Sequence, residues 1–176
     1  RHITLNDYGI LDSYGSYLLE SSTPPNNQRL SCVSVFYRLS GVGAPKPVEY
    51  AYSIPMLSRL QGVSAGVYNS FNPSLAAEPV YNYLSIYNPG DTTFAAQVEV
   101  YRQDGSLDHE RSFSTPTLAP NERRDFALGH LDGQVVGLYR IIPEDNSRPY
   151  GAFLSRYARN SYGGFQFAFS LLALLG

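Results

Sequence analysis

The 176-residue chain carries 13 Lys plus Arg against 15 Asp plus Glu, a formal charge of −2, so it lacks the basic footprint of a nucleic-acid binder. With 43% hydrophobic and 16% charged residues, against roughly a quarter charged in ordinary soluble domains, it is too apolar to stay disordered. Its single cysteine, Cys32, excludes an intrachain disulfide, and its longest apolar stretch, Phe165–Leu175, is too short for a membrane-spanning helix.

Arg1–Leu5 alternates and reads as a short strand, Asn6–Ser13 as a loop, and Tyr14–Glu20 as a strand. Pro24-Pro25 and Asn26-Asn27 make Ser21–Arg29 a turn. Leu30–Leu39 and Val48–Ile54 read as strands on either side of the Gly/Pro loop Ser40–Pro47. Irregular Pro55–Gly66 leads to a strand at Val67–Phe71, then a loop from Asn72 to Pro79 with one helical turn expected at Ser74–Ala77. Val80–Tyr87 has the cleanest alternation in the chain. Asn88-Pro89-Gly90-Asp91 places Pro and Gly where a type II turn wants them. Phe94–Arg102 alternates Phe94, Ala96, Val98 and Val100, and Asp104-Gly105 signals a hairpin whose returning strand is Leu107–Phe113. Thr115–Asn121 is a connection, after which Arg124–Leu128, Val135–Ile142, Tyr150–Arg159 and Phe165–Leu174 are strands. Turn signals recur every eight to twelve residues and no helical period is sustained, so the expected fold is an all-β antiparallel sandwich.

The chain also echoes itself. Gly15-Ser16-Tyr17 matches Gly137-Leu138-Tyr139, Phe36-Tyr37 matches Arg156-Tyr157, and Tyr50-Ala51-Tyr52-Ser53 matches Phe167-Ala168-Phe169-Ser170, at offsets of 122, 120 and 117 residues. Arg1–Leu5 likewise echoes Arg124–Leu128. Shrinking offsets are what two shortened loops produce when strand order is kept. The expected organisation is a partial, four-stranded repeat over residues 1–62 and a complete unit of about eight strands over 63–176. A half sandwich exposes an apolar face and unpaired edges. Chain preceding Arg1, the complete unit itself, or a neighbouring subunit donating strands could each cover them.

Strand Tyr81–Tyr87, the Asn-Pro-Gly-Asp turn, the Phe94–Arg102 strand and the Asp-Gly hairpin resemble the start of an immunoglobulin-like module of bacterial secreted or surface proteins. That resemblance covers residues 63–176 and, through the echo, 1–62. It implies tandem modules outside the cell and no particular activity. The Cys…Trp…Cys core of antibody domains is missing, since the chain has no tryptophan.

The chemical inventory points away from an enzyme. His2, His109 and His130 have no partner at metal-ligand spacing, and no nucleophile elbow, phosphate loop or dinucleotide fingerprint occurs. Asp104, Asp108, Glu110, Glu144 and Asp145 supply carboxylates, but in expected turns where solvated acids are ordinary. Oxygen ligands for calcium cluster at Pro143–Ser147 and Asn88–Asp91 without the spacing of a calcium loop. No metal, cofactor or catalytic residue is therefore assigned. What stands out is a tyrosine count of 15, and twelve arginines against one lysine, Lys46. Both residue types suit wet interfaces, and both also cover outer strand faces. Tyr81, Tyr83 and Tyr87 share a parity opposite to Leu84 and Ile86, and Phe165, Phe167 and Phe169 line one parity of the last strand. These six form the expected interaction surface. The resulting expectation is a non-catalytic structural or adhesive repeat protein, extracellular or on a bacterial surface, self-associating or joined to neighbouring modules. Assembly by strand complementation would build a filament or surface layer, and a glycan bound on the Tyr face is the alternative.

Overall fold

The computed structural model describes residues 33–39, 48–55, 59–71, 80–128, 135–159 and 165–176. Among these there is no helix, and every paired strand is antiparallel. Strands β1 (Val33–Leu39) and β2 (Val48–Pro55) form a two-stranded hairpin with no ladder to the other sheets, and β2 lies close beside the last long strand, Phe165–Leu172. The remaining strands are β3 (Ser64–Asn69), β4 (Val80–Tyr87), β5 (Ala96–Arg102), β6 (Phe113–Ser114), β7 (Arg123–Ala127), β8 (Val136–Pro143), β9 (Gly151–Arg159), β10 (Phe165–Leu172) and β11 (Leu174–Leu175). They form a four-stranded sheet in the order β10-β9-β4-β7 and a five-stranded sheet in the order β11-β3-β8-β5-β6.

The two sheets enclose one core, and alternation decides which residues enter it. On β4 the even-numbered Asn82, Leu84 and Ile86 are buried, and on β5 Ala96, Val98 and Val100. Tyr68, Phe94, Leu118, Tyr139, Ile141, Tyr150 and Leu154 complete the centre, with the Phe94 and Tyr150 rings stacked at 5.1 Å between centroids.

Tyrosine and glycine sit directly opposite each other at three cross-strand positions: Gly66 with Tyr139, Tyr68 with Gly137, and Tyr87 with Gly151. At Gly66 and Gly151 an added Cβ would run into the facing tyrosine ring, and at Gly137 it would meet first the Tyr101 carbonyl oxygen and then the Tyr68 ring. The ring lies over the bare backbone and covers what the glycine leaves uncovered. The Gly-x-Tyr spacing of Gly137-Leu138-Tyr139 thus has a packing meaning.

Two turns depart from the sequence reading. Gly90 is not among the positive-φ glycines, so the type II turn at Asn88–Asp91 does not form. Instead buried Asn88 organises the corner. Its Oδ1 accepts from Gly90 N–H at 3.0 Å, and its Nδ2 donates to the carbonyls of Thr92, Leu118 and Ala119. The Asp104-Gly105 turn does form, with Gly105 at φ 84° and Arg102 N–H bonded to Ser106 O.

Leu107–Phe113, however, is not a returning strand. Only Leu107 bridges Tyr101, and β6 begins at Phe113. Buried Asp108 folds the intervening residues into a turn. Its carboxylate pairs with Arg102 and Arg111, and its carbonyl accepts from Ser112 N–H and Oγ. Local side-chain bonds here outcompete the ladder. The final strand also differs, because it breaks at Ala173. β10 pairs with β9 in one sheet, and β11 pairs with β3 in the other. Strand β3 starts three residues before the expected Val67, and the expected helical turn at Ser74–Ala77 lies outside the described residues.

Candidate functional site

The outer face of the four-stranded sheet gathers the polar and aromatic residues that the core rejects. Tyr81, Tyr83 and Tyr87 alternate with the core residues of β4 and are only partly buried, and Ser85 shares their face of the sheet but is buried. Register then places Tyr157 opposite Tyr81, Ser155 and Ala127 opposite Tyr83, Phe153 and Asp125 opposite Ser85, and Gly151 and Arg123 opposite Tyr87. The Tyr157 ring stacks on Tyr81 at 5.1 Å and on Tyr83 at 6.2 Å, with interplanar angles of 18° and 17°.

Beside the tyrosines lies a shallow groove of about 250 Å³ lined by Tyr83, Ser85, Arg123, Asp125, Ser155 and Tyr157. Ser85 Oγ donates to Asp125 Oδ1 at 2.6 Å, and Arg123 holds both carboxylate oxygens at 3.0 and 3.2 Å. Arg123 also donates to Ser85 Oγ and lies 5.2 Å from the centroid of the Phe153 ring. The arrangement offers hydrogen-bonding groups next to aromatic carbon, a surface suited to a polyhydroxylated ligand or a polar protein contact.

The six residues expected to form one interaction surface divide between two faces. Tyr81 and Tyr83 belong to the stacked cluster, whereas Tyr87 lies over Gly151, where burial pushes its hydroxyl pKa up and Arg59 opposes that rise. Phe167 and Phe169 share the opposite side of the sheet with Arg156. The Arg156 guanidinium sits 5.0 and 5.3 Å from their ring centroids and donates to the carbonyls of Asn69 at 2.5 Å and Phe71 at 2.6 Å. It ties the end of β3 to β9 and β10, across the two sheets, and its burial lowers its pKa. The Phe165 side chain lies outside the described residues.

Sequence reasoning did not single out Ser85, Arg123, Asp125, Ser155 or Tyr157 as a group. Arg123 and Asp125 are two apart and share a face, a visible hint, but joining them to Ser85 requires the β4–β7 register.

The turn carboxylates have structural work. Asp104 accepts from Ser106 N–H and Oγ, and Asp145 from Ser147 N–H and Oγ, and these bonds hold both carboxyls below the usual carboxylate range. Among the described residues no group of three His, Cys, Asp or Glu side chains could hold a metal ion, and no helix is long and apolar enough to cross a membrane. His2 and His130 lie outside the described residues.

No known protein-family model and no curated protein matches the chain. A solved structure titled "Crystal Structure of Thermotoga maritima 1070" resembles 66% of this chain and 96% of its own, at 13% identity and a TM-score of 0.44.

Proposed function

We propose that the chain is a non-catalytic structural protein built from tandem immunoglobulin-like β-sandwich repeats that work outside the cell. One observation carries this reading. The β1–β2 hairpin has the same register as β9–β10 when its strands are shifted by 120 and 117 residues, the offsets of the sequence echo. All seven Cα pairs correspond. Val33↔Pro55 answers Phe153↔Leu172, Tyr37↔Ala51 answers Tyr157↔Ala168, and Leu39↔Val48 answers Arg159↔Phe165. The irregularity corresponds too, since one residue is skipped between Val48 and Tyr50 and one between Phe165 and Phe167. Bulges are designed features that fix register, and their recurrence argues for one hairpin used twice. In such a protein, ladders hold each module and Tyr/Arg faces join it to its neighbours. Light scattering with negative-stain imaging of the purified protein tests self-assembly. Regular fibres or sheets support it, and a monomer at all concentrations overturns it.

The outward Tyr81–Tyr157–Tyr83 stack beside Arg123–Asp125 favours a second reading, glycan binding. Retardation in polysaccharide gels, abolished by Tyr81→Ala with Tyr83→Ala, would support it. Unretarded migration across a broad glycan panel would end it.

A further inference from the structure

The tyrosine stack on the outer face of the four-stranded sheet holds phenols in a geometry suited to coupling. Register sets Tyr157 of β9 directly opposite Tyr81 of β4, with Tyr83 as its diagonal neighbour. Directly opposed residues keep their Cβ atoms about 5 Å apart, and diagonal ones stay within reach of aromatic side chains. The rings are nearly parallel, at 5.1 Å and 18° for Tyr81–Tyr157 and at 6.2 Å and 17° for Tyr83–Tyr157. All three are partly exposed, so a small solute can reach their edges. Other described tyrosines have different neighbours. Tyr139 and Tyr68 lie over glycines inside the sandwich, and Tyr150 stacks on Phe94. Stacking alone is ordinary sheet packing, but the composition adds a second fact. With 15 tyrosines, no tryptophan, one methionine and one cysteine, the chain has few other side chains on which an oxidising equivalent can settle.

We propose that Tyr157 and Tyr81 form an oxidative cross-linking site, joined through their ortho carbons as a dityrosine when the protein meets a one-electron oxidant. Two equivalents of oxidant take one electron from each phenol, and each O–H proton leaves to water. The two phenoxyl radicals pair their odd electrons in one C–C bond between ortho carbons. The hydrogen displaced from each ortho carbon returns to the oxygen of its ring as a proton, which restores both aromatic rings and both hydroxyls. The net change is the loss of two hydrogen atoms, with both electrons on the reduced oxidant. Fixing the two rings on paired strands gives the coupling the effective concentration of an intramolecular step. The link closes the chain covalently between β4 and β9, as a disulfide closes a loop, in a chain whose one cysteine cannot supply a disulfide internally. It is independent of both functional readings above.

The test exposes dilute full-length protein to photogenerated tris(bipyridine)ruthenium(III), a small one-electron oxidant. Dityrosine is read by its fluorescence and by tandem mass spectrometry of proteolytic fragments. The expected product is a monomer two hydrogens lighter, in which Tyr157 is joined to Tyr81. Tyr157→Phe keeps the ring and removes the phenol, and should cut the dityrosine yield at least about tenfold. Tyr101→Phe, on the other sheet, should leave the yield unchanged, and circular dichroism checks that both variants fold. If Tyr157→Phe fails to fold, the fragment map of the parent decides alone. No dityrosine in the parent, a main cross-link between other tyrosines, cross-links only between molecules, or a yield untouched by Tyr157→Phe would each overturn the proposal.

Discussion

Tyr139 and Tyr150 are both buried, but they meet the interior on opposite terms. Tyr150 donates to Ser64 Oγ at 2.7 Å and lies 2.9 Å from Gly62 O, whereas Tyr139 Oη has no hydrogen-bond partner among the described residues. A buried unpaired hydroxyl costs about 1–3 kcal/mol, and a made hydrogen bond contributes about 1 kcal/mol. Tyr139→Phe should therefore leave stability unchanged or raise it by roughly 1 kcal/mol, while Tyr150→Phe should lower it by a similar amount. Urea denaturation of the pair distinguishes them. Gly66→Ala is expected to cost more, about 1–3 kcal/mol, because the new methyl meets the buried Tyr139 ring rather than a flexible side-chain tip.

Asp108 gives a pH dependence whose direction is fixed. Desolvation raises its pKa, but hydrogen bonds from Arg111 and Arg102 outweigh it and hold the carboxyl below its ordinary value. A carboxyl depressed in the folded state supports folding above its unfolded pKa, about 4, and withdraws that support as pH falls through the folded value. Thermal unfolding followed from pH 6 to pH 2 should show the melting temperature dropping below about pH 4. Asp108→Asn should flatten that drop without abolishing it, since Asp104, Glu122 and Asp145 are also depressed.

At the scale of elements, strands whose alternation feeds the core were legible in the sequence, and segments governed by one buried polar side chain were not. Val80–Tyr87 reads correctly to the residue because Leu84 and Ile86 enter the core while its tyrosines stay outside. Leu107–Phe113 misleads because Asp108, which looks like a solvated turn residue, is buried under two arginines. Asn88 misleads in the same way, since Pro89-Gly90 suggests a backbone-driven turn while the structure uses the Asn88 amide. Asn88→Ala should thus destabilise by roughly 1–3 kcal/mol, more than an exposed turn residue would, as measured by chemical denaturation. The candidate site was half legible. Parity places Tyr81 and Tyr83 outside, but the Arg123–Asp125–Ser85 cluster and the separation of Phe167 and Phe169 depend on pairings between distant strands.

For the whole molecule, the two-sheet sandwich follows from turn spacing and alternation, whereas the crossing of the final strand between sheets does not. Nothing in Phe165–Leu175 marks Ala173 as a break. It is defined by what surrounds it, a buried methyl and an N–H bonded to Ala152 O. Beyond it, β11 pairs with Ser64 and Ala65, and Gly176 N–H bonds to Val63 O. A chain ending at Leu172 should unfold at a lower temperature in calorimetry than the full chain, although the residues removed are mostly exposed.

The crossover at Ala173 also decides how the sandwich answers a pull. A tension applied at Gly176 is transmitted through β11 to β3 and through β10 to β9, so both sheets are loaded by one continuous segment. The sheets cannot slide past each other along that margin unless the two-residue β11 ladder yields first. The short strand is in effect a mechanical fuse, whose rupture would lengthen the molecule by a few residues while leaving the core of Tyr139, Tyr150 and Leu154 closed.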